Sequence, residues 1–128
     1  MILLEERNAI TQYEQLALLI AKKIAKGQFK EHEKLNPIPK IGDEYSVSRE
    51  TARKGLKLLE SHGVLDFKHG SGVTVASSAN AERFINLYQN IVAFTEIQHK
   101  ISDSIEEQKS YLGELSSLYS HLIDETNE

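Results

Sequence analysis

Apolar positions fall into two regimes along the chain. Up to about residue 76 they form short clusters broken by glycine, proline and polar residues; from about residue 79 they recur steadily with almost no breaker. In the first regime, Thr11-x-x-Glu14 is a capping-box pattern, in which the threonine hydroxyl accepts from the Glu14 backbone while Glu14 reaches back. Beyond it Leu16, Leu19/Ile20 and Ile24 repeat at helical spacing. Lysines 22, 23 and 26 suit the C-terminal end of that helix, and Gly27 suits its stop. The stretch 28–39 is polar and proline-bearing, which predicts a loop leading into a short helix at about 39–45. Ser46-Val47 then forms a tight link. Ser48 is an N-cap, Val47 is placed to staple onto Ala52, and 49–62 runs as a helix until Gly63 stops it. Segments 64–68 and 73–76 are strand-like and are joined by His69-Gly-Ser-Gly72, a hairpin sequence.

On a helical wheel Ala52, Gly55, Leu56, Leu58 and Leu59 make one apolar arc, and Arg49, Arg53 and Lys57 make a separate basic stripe. A short helix, a brief turn, a longer helix with a basic face near its start and a two-stranded ribbon together predict a winged helix-turn-helix. In that geometry the first turns of the second helix meet base edges in the major groove, where arginine makes two hydrogen bonds to guanine. Arg49 and Arg53 are the expected readers; Lys54 and Lys57 suit phosphates, which set register without reading sequence. A bland reading stands beside this one: a solvated basic face paired with Glu50 and Glu60. His69 and Lys68 would make the wing cationic, the alternative for His69 being a turn-tip residue with no role. Tyr13 and Tyr45 are expected to be packing residues.

The second regime reads as one helix with a seam. With Phe84 at heptad position a, the a residues are Phe84, Ile91, Gln98, Ile105, Leu112 and Tyr119. The d residues are Leu87, Phe94, Ile101, Gln108, Leu115 and Leu122. Ten of these twelve are apolar, which predicts a coiled coil, with Gln98 and Gln108 setting register and orientation. About 45 residues span roughly 68 Å, and a lone helix of that length has nowhere to bury its stripe. Apolar residues outside the seam (Ile85, Val92, Ile97, Tyr111 and Leu118) suggest a wider bundle or tetramer. The expected fold class is therefore mainly α with a small β-wing. The expected domains are a winged helix-turn-helix over 1–78 and a helical oligomerisation region over 79–128.

Composition changes the picture in three places. The 128 residues carry a net charge of −4, but residues 1–78 hold twelve Lys/Arg against ten Asp/Glu, and 79–128 hold three against nine. The acidic total therefore does not argue against a nucleic-acid partner, since the local field at the contact decides. With no cysteine there is no disulfide framework, thiolate nucleophile or cysteine-based zinc site. His32, His62, His99 and His121 lack metal-ligand spacing. The longest apolar run, 16–21, is six residues, and the N-terminus lacks the pattern of a secretory signal, so a cytoplasmic protein with no membrane partner is expected. No Gly-rich phosphate loop followed by lysine and no nucleophile–base grouping points to an enzyme, and no cofactor is expected.

The stretch from about 13 to 76 resembles the DNA-binding domain of the GntR family of bacterial transcription regulators. The resemblance is carried by Tyr13-Glu-Gln-Leu16, Ile24-Ala-Lys-Gly27, Lys34-Leu35, Val47-Ser-Arg-Glu-Thr-Ala-Arg53, Leu58-Leu-Glu60, Gly63 and His69-Gly-Ser-Gly72. It implies a repressor-type protein that reads palindromic operators as a symmetric dimer. Arg49 and Arg53 match the recognition-helix arginines, Ser48, Glu50 and Thr51 lie among the contacts, and His69 with Gly70 matches the wing tip. One departure stands out. Family members usually carry a Leu-Pro-Ser-x-Arg segment entering the second helix; here it reads Leu35-Asn-Pro-Ile-Pro39, with proline in place of the arginine. Lys40 is adjacent and is the candidate substitute, for a phosphate contact only.

Ser77-x-x-Asn80-Ala-Glu-Arg-Phe84 is similar to BusR-type members, in which a coiled coil leads into an RCK_C domain that binds cyclic di-AMP. The seam ends within a few residues of the C-terminus, and both a naturally short regulator and a piece lacking such a domain fit that pattern. A cyclic di-AMP effector is implied only in the second case. The expected function is sequence-specific DNA binding by a coiled-coil-linked homodimer or homotetramer. The competing class is a protein-interaction module whose winged helix binds protein instead.

Overall fold

The computed structural model describes residues 9–126. It contains α1 (Gln12–Ala25), α2 (Ile38–Tyr45), α3 (Arg49–Ser61), β1 (Leu65–Lys68), β2 (Gly72–Val75) and α4 (Ser78–Thr126). The capping box at Thr11 and Glu14 is formed in both directions. Ser48 caps α3 by accepting from the Thr51 N–H at 3.0 Å. The end of α3 is equally local in origin. Gly63 takes φ 73°, its N–H donates to Glu60 O, and Val64 N–H donates to Leu59 O, the paired bonds of a Schellman stop.

Between α2 and α3 the chain turns through Ser46 at φ 57°, and Val47 N–H donates to Gly42 O at 2.9 Å. A Cβ on Gly42 would lie 2.9 Å from Val47 O, so the close approach that makes this turn requires glycine there. β1 and β2 pair antiparallel with Leu65 opposite Val75 and Lys68 opposite Gly72.

The stretch expected to be loop contributes more. His32 N–H donates to Val75 O, Val75 N–H to Glu33 O, and Leu35 N–H to Val73 O, so 32–35 lines the free edge of β2 through one isolated antiparallel bridge, Lys34 to Thr74. The sequence hides it because Glu31-His-Glu-Lys34 is polar throughout and shows no alternation.

The core is built from Leu16, Ile20 and Ile24 of α1, Leu56 and Leu59 of α3, Val64, Val75 and the start of α4. The compact unit ends at Val92, past the boundary expected at residue 78, because Ala81, Phe84 and Tyr88 bury themselves in that core. This corrects the seam at its first position. Phe84 is 1% exposed, stacks on Tyr88 at 4.5 Å and meets the His62 ring edge-on at 5.0 Å. Its partner is its own domain. Burial, followed by the nearby Glu14 carboxylate, pushes the Tyr88 hydroxyl up to about 12. The start of α4 is also fixed by Asn80, whose Nδ2 donates to Gly63 O at 3.1 Å, and by Glu31, which accepts from Ser78 N–H at 3.1 Å.

The second unit, 93–126, consists of the rest of α4. Its large apolar side chains, including Phe94, Ile101, Ile105, Leu112, Leu115 and Leu122, are all exposed, as are Leu87 and Ile91 at the end of the first unit. No helix among the described residues is long and apolar enough to cross a membrane.

Candidate nucleic-acid interface

The start of α3 carries the expected residues outward. Arg49, Glu50, Arg53, Lys54 and Lys57 are exposed, whereas Ala52, Gly55, Leu56 and Leu59 face the core. Ser48 Oγ also donates to Thr51 Oγ1 at 2.9 Å, which leaves the Thr51 hydroxyl proton free for another acceptor.

The basic stripe divides in two. Lys54 lies 3.7 Å from Glu50, its neighbour one turn back. Lys57 lies 3.3 Å from Glu60 and holds its ammonium 4.1 Å from the centroid of the Phe67 ring on β1, bracing the wing against α3. The Arg49 and Arg53 side chains form no ion pair or hydrogen bond among the described residues. One turn apart at the leading end of an exposed helix face, two uncompensated guanidiniums have the reach and donor geometry to read base edges.

The wing stands beside them. His69, Gly70 and Ser71 form its tip, with Gly70 at φ 78°, and Lys68 and His69 are exposed. Between α3, the wing and the entry to α2 lies a groove of about 490 Å³, onto which Arg53, Lys68, Lys34 and Gly70 open. Its floor is apolar, from Pro37, Ile38, Pro39 and Phe67, and no acidic residue lines it. Lys40, the expected substitute for the missing arginine, is exposed but does not line the groove. Lys34, which does, was not singled out from the sequence as a contact. No cluster of three or more potential metal-ligating side chains occurs among the described residues.

Three helices, a tight turn between the second and third, and a β-ribbon packed on the third define the class: a winged helix-turn-helix protein. Residues 12–75 match the model of the gntR family of bacterial regulatory proteins, and the chain belongs to that family. No match is found among curated proteins. Among solved structures, the chain is similar to BusR of S. agalactiae in complex with its busAB-promotor DNA. The identity is 34% and the TM-score 0.72, covering 93% of this chain and 58% of that one. A second BusR complex, with busA-promotor DNA, matches at 35% identity and TM-score 0.67 over 87% of this chain and 56% of that one. The possible transcriptional regulator YydK from Bacillus subtilis matches at 31% identity and TM-score 0.50 over 53% of this chain and 30% of that one. This chain thus spans little more than half the length of the BusR chains it resembles.

Proposed function

We propose that this protein is a transcription regulator that binds an inverted-repeat DNA site as a homo-oligomer. The observation that carries the reading is the pair Arg49 and Arg53, exposed one turn apart at the start of α3 with no carboxylate partner among the described residues. Leaving two cations uncompensated is favourable where an acidic ligand completes them, and duplex DNA is such a ligand. α3 enters the major groove, the wing tip at His69 and Gly70 follows the backbone toward the minor groove, and Ser48, Thr51 and Lys54 hold register on phosphates. Similarity to BusR, solved with promoter DNA, supports this reading.

The exposed face of α4 from Leu87 to Leu122 supports self-association, as a dimer or a tetramer. A two-fold pair of reading heads would meet half-sites about 34 Å apart or at a multiple of that spacing. Repression, by a bound site that overlaps a promoter, is the proposed outcome, with the cytoplasm as the proposed location. The test is titration of a selected duplex and a scrambled one. Arg49→Ala and Arg53→Ala should each cost about 1–3 kcal/mol on the selected sequence and little on the scrambled one. Equal losses on both duplexes, or none, would contradict base reading by α3.

A further inference from the structure

The arginine that members of this family carry at the entry to α2 is replaced here by Pro39, and α2 itself makes a poor anion site. Pro39 is the second helical residue and has no N–H to donate, and the Lys40 N–H is already bonded to Pro37 O at 2.9 Å. The groove beside α3 nevertheless gathers three cations from three elements: Lys34, Arg53 and Lys68. None of them has an ion pair among the described residues.

Lys34 is the one whose position is most tightly built. Its backbone bridges to Thr74, and the following N–H, from Leu35, bonds to Val73 O at 2.8 Å, so its Cα is fixed to the wing. Its side chain runs across Gly72, where an added Cβ would stand 2.9 Å from Lys34 Cε. Gly72 itself sits at φ 83°, which favours glycine there whatever lies beside it.

We propose that Lys34 is a DNA-contact residue that holds a backbone phosphate at the mouth of this groove, together with Lys68 and Arg53. It takes over a contact that the entry to α2 no longer offers. The inference rests on the DNA-binding reading above. An ammonium on a flexible stem is a point charge without the bidentate fork that reads guanine, so the contact contributes affinity and register but not base choice. The duplex backbone is a better fit than a free anion. All three cations are exposed, and an exposed pairing is weak in salt unless the ligand itself releases condensed counterions on binding.

The test measures binding of a duplex selected from random sequence, and of a scrambled duplex, across a range of chloride concentrations. Lys34→Ala should weaken both by the same factor, roughly three- to tenfold, and reduce the slope of log K against log salt by about one. Lys34→Arg should restore the slope. The assignment is overturned if Lys34→Ala leaves the slope as it was, or if the loss is confined to the selected duplex. Arg49→Ala in the same series separates the two levels. If it lowers selected-site affinity while Lys34→Ala keeps the full slope, only the lysine assignment fails. If the parent protein binds neither duplex, the DNA-binding reading fails with it.

Discussion

Ser46 occupies left-handed backbone space in the turn that connects α2 to α3. An L-residue is held there at a cost of about 1–2 kcal/mol, which the surrounding helices impose. Ser46→Gly should therefore stabilise the fold by roughly 0.5–1 kcal/mol, the relief of strain exceeding the added flexibility of the unfolded chain. Urea denaturation checks this, and a loss of stability would show that the serine hydroxyl contributes something the turn geometry does not reveal. Tyr88 offers a second test. Its hydroxyl is pushed up to about 12 by burial and by Glu14, whereas an unfolded tyrosine titrates near 10. Between those values the folded chain keeps a proton that the unfolded chain has lost. The stability linked to Tyr88 is thus complete below about pH 10 and drains away as pH rises toward 12. Denaturation midpoints followed from pH 9 to 12 should fall less steeply in Tyr88→Phe than in the parent protein.

Among the elements, those whose causes are local were legible in the sequence. α1 and α3 announce themselves by capping residues, helical spacing and a terminal glycine, and the structure starts them one residue after Thr11 and Ser48. The hairpin follows from its glycines. Elements that depend on a distant partner were not legible. The edge segment at 32–35 is held by backbone bonds to β2 and by the buried side chain of Leu35, so no alternating pattern marks it, and Lys34, read only as part of the family resemblance, was not singled out as a contact. Lys57 reads as one more cation of the basic stripe until the structure sets it between Glu60 and the Phe67 ring. Phe84 fits a heptad as well as any residue on α4, because periodicity gives the face and not the identity of what covers it. That distinction predicts contrasting mutants. Phe84→Ala opens a cavity within the domain and should lower its stability by about 3–5 kcal/mol. Leu115→Ala, at an exposed position on the same helix, should leave the isolated domain's stability within about 0.5 kcal/mol. Thermal unfolding at high dilution, with sedimentation to establish that both proteins are monomeric there, makes the comparison.

For the molecule as a whole, the two ends of the chain have complementary needs. The first 78 residues carry a small positive balance concentrated around α3 and the wing, and the remaining residues carry the acidic excess and an exposed apolar face. A solitary copy leaves that face in water and presents one reading head, which meets too few base pairs for strong discrimination. The proposed association of copies would resolve both. Replacing Leu112 and Leu115 together by glutamate should shift the sedimentation mass toward the monomer and lower affinity for a paired site, while affinity for a single half-site remains. Loss of half-site binding as well would indicate damage to the reading head instead of separation of the copies.

The most direct test of the central claim, that Arg49 and Arg53 read bases from an exposed helix, is recovery of bound sequences from a random duplex pool. The parent protein should enrich an inverted repeat whose half-sites recur at one helical turn or a multiple of it, and Arg53→Ala should lose the preference at one base pair in each half-site. Enrichment of no common sequence, or of the same sequence by both proteins, would contradict it.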